Sequence, residues 1–151
     1  MNPRITSAIH PTRAAIAALP ITNNVKIATA ELQGLGTRVI DLGCGEGKFT
    51  RGLCAQFADV TGLDVKERKI ADANEKARAE GVHAKFVTGS AQAIPFGDGH
   101  FDAVIFSNSL HHMPDPAAAL QEGLRSLRKG GLLYVMEPVP SGNYHDATCL
   151  V

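Results

Sequence analysis

Residues Val39 to Thr50, Val-Ile-Asp-Leu-Gly-Cys-Gly-Glu-Gly-Lys-Phe-Thr, constrain this chain more than any other stretch. A β-branched pair suited to a buried strand runs through Asp41 into three alternating glycines and then into a helix-like segment. Gly43, Gly45 and Gly47 allow a sharp turn at positive φ and let the backbone come close to a ligand. The helix behind them is expected to present its free N–H groups and positive end to an anionic group.

The spacing bears on which ligand. In a dinucleotide fingerprint, G-x-G-x-x-G, the third glycine permits close packing of helix on strand. Counted from Gly43 that position holds Lys48, and the third glycine comes one residue early, at Gly47. The form D-x-G-x-G-x-G, Asp41 to Gly47, resembles the first motif of the Rossmann-like S-adenosylmethionine-dependent methyltransferases. The resemblance implies that the turn formed by Asp41, Gly43, Cys44, Gly45 and Gly47 holds the methionine part of the cofactor. The Cys44 side chain itself reads as a small buried filler rather than a reactive thiol.

Phe49, Leu53 and Phe57 recur at the period of a helix with one buried face. Asp59 to Val65 then reads as a second strand ending in a carboxylate. Asp64 lies 21 positions after Gly43, close to the ~20-residue offset at which an acidic residue meets a ribose hydroxyl in related folds. The family resemblance implies the same role for Asp64, with Val65 beside it. Lys66 to Glu80 is expected to be a helix stopped by Gly81, with Ile70, Ala73 and Ala77 inward and its charges on a solvated face. A third strand over His83 to Thr88 leads into Gly89-Ser90-Ala91-Gln92, which resembles the family's segment against the adenine. An aspartate commonly follows that glycine; Ser90 stands there here, leaving Ser90, Ala91, Gln92 or backbone to take the adenine side.

Phe96 to His100 is a turn, and Phe101 to Phe106 a fourth buried strand. Asp102 opens that strand, away from the carboxyl end where open α/β sheets bind ligands, and is assigned a structural role. The stretch FDAVIFSNSLHHMPDP, residues 101–116, resembles the methyltransferase subgroup acting on small molecules and quinone precursors. It implies that Ser107 and Asn108 border the cofactor and the route to the acceptor. His111 or His112 is a candidate general base, because histidine titrates near neutral pH; packing or capping the loop is the competing role. Metal ligation is disfavoured, since no further ligand set stands at a recognised spacing. The N/D-P-P-Y/F pattern with which related enzymes grip a base amino group is missing, which argues against methylation of adenine or cytosine amino groups in DNA.

Asp115 and Pro116 mark a helix start, with Leu120, Leu124 and Leu127 as its inward stripe and Arg125, Arg128 and Lys129 at its negative end. Gly130-Gly131 is expected to end it, before a fifth strand over Leu132 to Glu137. Five strands alternating with helices predict an α/β, doubly wound and mainly parallel sheet. The family's sheet continues to a sixth and an antiparallel seventh strand, so the sheet is expected to stop short, after the fifth strand. The open edge this leaves predicts a homodimer or a partner chain.

Lysines and arginines balance aspartates and glutamates at 15 each, so no global field favours nucleic acid. Three cysteines without C-x-x-C spacing fit reduced thiols and a cytoplasmic setting. No apolar stretch approaches the ~20 residues that span a bilayer. Residues 1–32 are expected to form a helical cap or lid, including a helix through Ile9, Ala15, Ile16 and Leu19 that Pro20 ends, and residues 33–151 the cofactor-binding domain. The expected activity is S-adenosylmethionine-dependent methyl transfer to a small-molecule acceptor. The alternatives are a cofactor-binding but non-catalytic subunit or fragment, and a nicotinamide-dependent oxidoreductase, the latter disfavoured by Lys48.

Overall fold

A computed structural model describes residues 24–137 and 146–150. The elements run α1 (Asn24–Leu32), β1 (Arg38–Leu42), α2 (Lys48–Leu53), β2 (Asp59–Asp64), α3 (Glu67–Glu80), β3 (Lys85–Thr88), β4 (Phe101–Ser107), a 3-10 turn (Leu110–His112), α4 (Pro116–Ser126), β5 (Leu127–Glu137) and β6 (Asp146–Leu150). The strands lie in the order β3-β2-β1-β4-β5-β6, and the first five pair in parallel. Chain order runs outward from β1 through β2 to β3, then jumps back across β1 to β4. That jump is the topological switch point, where the loops leaving β1 and β4 diverge and open a crevice.

The central strands are buried along almost their whole length, because both faces of the sheet are covered. In β4 the alternation is visible: Ala103 and Ile105 pack with Val39, Val60, Tyr134 and the α1 residues Ala28 and Leu32, while Val104 and Phe106 pack with Ile40, Leu133, Val135 and Ala119 of α4. Of the segment expected to be a lid, α1 alone is described, and it contributes two fully buried side chains to this core. The helix expected over Ile9 to Leu19 lies outside the described residues.

Three features differ from the sequence expectations. First, α4 turns a different stripe inward: Ala119, Gly123 and Ser126 are buried, whereas Leu124 is 47% exposed. The helix sits so close to the sheet that a methyl at Gly123 would lie 3.2 Å from Leu133 and 3.3 Å from Val104, so small residues face inward and Leu120 and Leu127 flank them. Second, α4 ends at Ser126 rather than at Gly130, and Leu127 is already extended strand paired with Phe101. Arg128 and Lys129 therefore belong to β5, not to a helix terminus. Third, the sheet does not stop at the fifth strand, because β6 pairs antiparallel along the outer edge of β5, from Glu137↔Asp146 to Leu133↔Leu150. The edge on which association was expected is thus occupied by the chain's own backbone.

Arg128 finds its partner at the amino ends of the strands. Asp102 accepts from the Thr37 and Arg38 N–H groups at 3.0 and 2.9 Å and from Arg128 Nε at 2.6 Å. Arg128 also donates to the Leu35 carbonyl, so the loop before β1, β4 and β5 meet at one carboxylate. Burial alone would raise the Asp102 pKa, but these donors outweigh it and hold the group below the ordinary carboxylate value. The structural assignment of Asp102 follows from this geometry. Asp102→Ala leaves two N–H groups and a guanidinium without their acceptor, and is expected to lower stability by about 2–3 kcal/mol, measured by urea denaturation. Sheet content and ligand binding under native conditions should be retained.

Candidate functional site

β1 delivers Asp41 and Leu42 into a turn whose amide groups are spent on β2. Gly43 and Cys44 both donate to the Leu63 carbonyl, at 2.7 and 3.0 Å, and Gly45 N donates to Asp64 Oδ2 at 2.9 Å. Positive φ at Gly43 (76°), Gly45 (55°) and Gly47 (73°) makes this path open to glycine. The remaining Asp64 oxygen, Oδ1, accepts from Lys66 N at 2.9 Å. The α2 helix spans only six residues, so the expected dipole contribution to an anion is small, and the turn itself is fastened to the acidic end of β2.

The second and third glycines do different things. Around Gly45 an added methyl would meet nothing within 4 Å, so the space beside it is open. At Gly47 the same methyl would fall 2.4 Å from the Phe86 ring and 3.1 Å from Ala73, where α2, α3 and β3 converge. Gly47→Ala combines left-handed strain with overpacking and is expected to destabilise the fold by about 2 kcal/mol or more, measured as a shift in the denaturation midpoint. Gly45→Ala should carry the strain alone.

The crevice at the switch point encloses about 450 Å³. Gly43, Gly45, Asp64, Val65, Ser90, Ala91, Gln92, Asn108 and His112, all singled out in the sequence, share its wall. Asp41, Cys44, Gly47, Ser107 and His111 do not line it. Asp41 lies beneath the turn: its side chain is buried, Oδ2 accepts from Thr50 Oγ1 at 2.7 Å, and Oδ1 has no hydrogen-bond partner. Burial, with the Asp64 charge adding to it and the Thr50 bond opposing it, pushes the Asp41 carboxyl up to about 7. Cys44 packs against Gly62, and burial raises its thiol pKa strongly, in keeping with a filler rather than a nucleophile.

His111 is turned to Glu137 at the end of β5, whose other oxygen accepts from the N–H groups of Ser109 (2.9 Å) and Leu110 (2.7 Å). His112 is on the crevice side, its ring centroid 3.9 Å from that of His111. Of the two histidines, the crevice therefore holds one.

Gly89 lines the crevice with the segment it opens, and so do Leu63, Lys66, Lys69, Ser109, Met113 and Pro114, to whose side chains the sequence gives no part in a site. Ser109 is the most constrained. Its Oγ donates to the Leu42 carbonyl at 2.6 Å, and a methyl at Gly43 would lie 2.6 Å from its Cβ. The loop after β4 is thereby seated on the glycine turn. On the opposite wall, Gln92 Oε1 accepts from Asp115 N at 3.2 Å, and Ser90 Oγ accepts from Gln92 N at 3.1 Å. Arg125 on α4 donates to the Ile94 and Phe96 carbonyls, fixing the segment that follows. Among the described residues no group of histidine, cysteine and carboxylate side chains could hold a metal ion, and no helix is long and apolar enough to cross a membrane.

Residues 40–135 match a family described as "Methyltransferase domain". The chain is 36% identical over 119 residues to 27-O-demethylrifamycin SV methyltransferase of Amycolatopsis mediterranei, covering 74% of this chain and 44% of that one. It is 38% identical over 111 residues to demethylmenaquinone methyltransferase of Thermus thermophilus, covering 71% and 50%. Among solved structures, that of the cyclase SpnF superposes with a TM-score of 0.70 at 32% identity, over 79% of this chain and 46% of the other. This chain spans half or less of the length of each of these three proteins. Neither the nicotinamide reading nor the non-catalytic one gains support from these likenesses.

Proposed function

This chain belongs to the methyltransferase domain family, and from that footing we propose that it binds S-adenosylmethionine in the crevice at the switch point and transfers the methyl group to a small-molecule acceptor. The observation that carries the reading is the convergence of the glycine turn, Asp64 and the Ser90–Gln92 segment on one cavity of about 450 Å³. That volume lies in the ~300–1,000 Å³ range of sites for ligands of this size. The open space at Gly45 and the carboxylate of Asp64 fit a group carrying ribose hydroxyls and a close-lying chain. Val65, Ala91 and Leu63 offer apolar surface to a base, with Ser90 in the place of the family's aspartate.

The chemistry that the cofactor supplies when bound is an electrophilic methyl group on a sulfonium sulfur. The chain's own part is to align a nucleophile, exclude water and accept a proton where the acceptor carries one. Asp64 would orient the ribose, and the turn from Gly43 to Gly45 would hold the methionine chain. Asn108, His112, Met113 and Pro114 would form the acceptor wall, with Ser107 behind them at the end of β4. His112, on the cavity side, is the candidate proton acceptor at an imidazole nitrogen; His111, bound to Glu137, is its support. The quinone and rifamycin names of the relatives and the apolar Met113 and Pro114 favour a largely apolar acceptor with a hydroxyl or an activated carbon. The free thiols of Cys44 and Cys54 suit a cytoplasmic setting.

Calorimetric titration with S-adenosylhomocysteine, followed by transfer of labelled methyl from S-adenosylmethionine to a panel of phenols and hydroquinones, tests the reading. Binding in the micromolar range with transfer to one acceptor class is expected. The likeness to SpnF, whose name is that of a cyclase, makes the transfer step the deciding one. Binding without transfer to any acceptor would leave a cofactor-binding chain that is not by itself a methyltransferase.

A further inference from the structure

Glu46 stands between the second and third glycines, and both its ends are gripped. Its carboxylate accepts from Lys69 Nζ at 2.6 Å through Oε1 and from Lys76 through Oε2, both lysines lying on α3. Its carbonyl accepts from Arg51 Nη1 at 2.6 Å, and Arg51 Nε is held by Glu80, at the far end of α3, at 2.9 Å. The turn is therefore tied to α3 at Lys69, Lys76 and Glu80. Lys69 also lines the crevice beside Asp64, whose charge acts on it.

We infer that Glu46 is a positioning residue for the crevice: it fastens the glycine turn to α3 and holds the Lys69 ammonium away from Asp64, keeping that carboxylate open to a ligand's hydroxyls. The two lysines in turn hold the Glu46 carboxyl down at about 2, so it stays ionised near neutral pH. Besides Glu46, two carboxylates act on Lys69: Asp72, three residues along α3, and Asp64, the one that lines the crevice. An ammonium there competes with the hydroxyl donors that Asp64 would otherwise take.

The ligand part of this inference rests on the cofactor reading above. The test uses the whole chain and S-adenosylhomocysteine as the probe, with Glu46→Gln, Lys69→Met and the double variant. Exposed ion pairs are individually weak, so the expected loss in Glu46→Gln is modest, with Kd raised roughly three- to ten-fold. Adding Lys69→Met should bring Kd back toward wild type, a rescue that loss of turn rigidity alone would not give. The ligand-free amides of Gly45 and Gly47 should exchange faster in Glu46→Gln. An unchanged Kd in Glu46→Gln, or a double variant no better than Glu46→Gln, overturns the role assigned to Lys69. If the wild type binds no S-adenosylhomocysteine, the cofactor reading falls, and amide exchange alone judges the clamp: unchanged exchange in Glu46→Gln overturns it as well.

Discussion

Asp64→Ala is expected to weaken S-adenosylhomocysteine binding by a factor of about 100 or more while the chain stays folded. Each charge-assisted hydrogen bond to a carboxylate contributes about 1.5–3 kcal/mol, and a vicinal diol offers two. The side chain does more than face the crevice. Through Gly45 N and Lys66 N it joins the glycine turn to the start of α3, so its removal also slackens the turn that would hold the rest of the ligand. Asp64→Asn separates these effects. One amide oxygen can still serve one of the two N–H donors, and its NH2 group confronts the other, so binding should fall less than in the alanine variant but still clearly. Calorimetry on the three proteins checks this, and an alanine variant within a few-fold of wild type would sink the ribose assignment.

Asp41→Asn is expected to change how stability varies with pH. The folded carboxyl titrates at about 7, raised from 3.8 by burial first of all. A folded pKa above the unfolded one favours the folded state fully below about pH 4. That contribution is lost as pH rises from there to the folded pKa. In the wild type stability should therefore decline between about pH 4 and pH 7 relative to the asparagine variant. A shift of roughly three units sets a ceiling of about 4 kcal/mol on the difference at pH 8. Thr50 Oγ1 can accept from the introduced amide, so the variant has a partner for one of its hydrogens. Urea midpoints for both proteins across pH 4 to 8 give the comparison, and parallel profiles would mean that burial does not raise the Asp41 carboxyl above its unfolded value.

What the sequence made legible was whatever depends on local order. The glycine turn, the carboxylate ending β2, the cap at Gly81 and the Asp115–Pro116 start of α4 each rest on a few adjacent residues whose backbone needs are particular to them. Asp115 Oδ1 does accept from Ala118 N, at 3.0 Å, and Gly81 does take the left-handed cap, at φ 67°. What stayed hidden depends on how closely elements approach one another. The inward stripe of α4 moved by one residue because Gly123 allows a contact too tight for leucine. Lys69 looked like one charge among many on a solvated helix, and nothing local shows that its helix starts at the crevice rim. Ser109 gave no signal in the sequence, since its partner, the Leu42 carbonyl, lies 67 residues away. That His111 turns to Glu137 while His112 lines the crevice was hidden too, because Glu137 reads in the sequence only as the last residue of a strand.

The loop between β4 and α4 is held by its frame rather than by the side chains it shows. Glu137 takes the N–H groups of Ser109 and Leu110, Ser109 Oγ rests on Leu42, and Asp115 begins α4. None of these anchors uses the side chains of His112 or Pro114, which line the crevice together with Asn108, Ser109 and Met113. Met113 also packs on the core and over Gly43, so Pro114 is the position of this wall whose exchange can alter what the cavity admits without touching an anchor or the candidate base. The frame that fixes the loop and the surface it shows to a ligand are thus largely carried by different atoms, so the shape of the cavity mouth can be retuned at little cost to the fold.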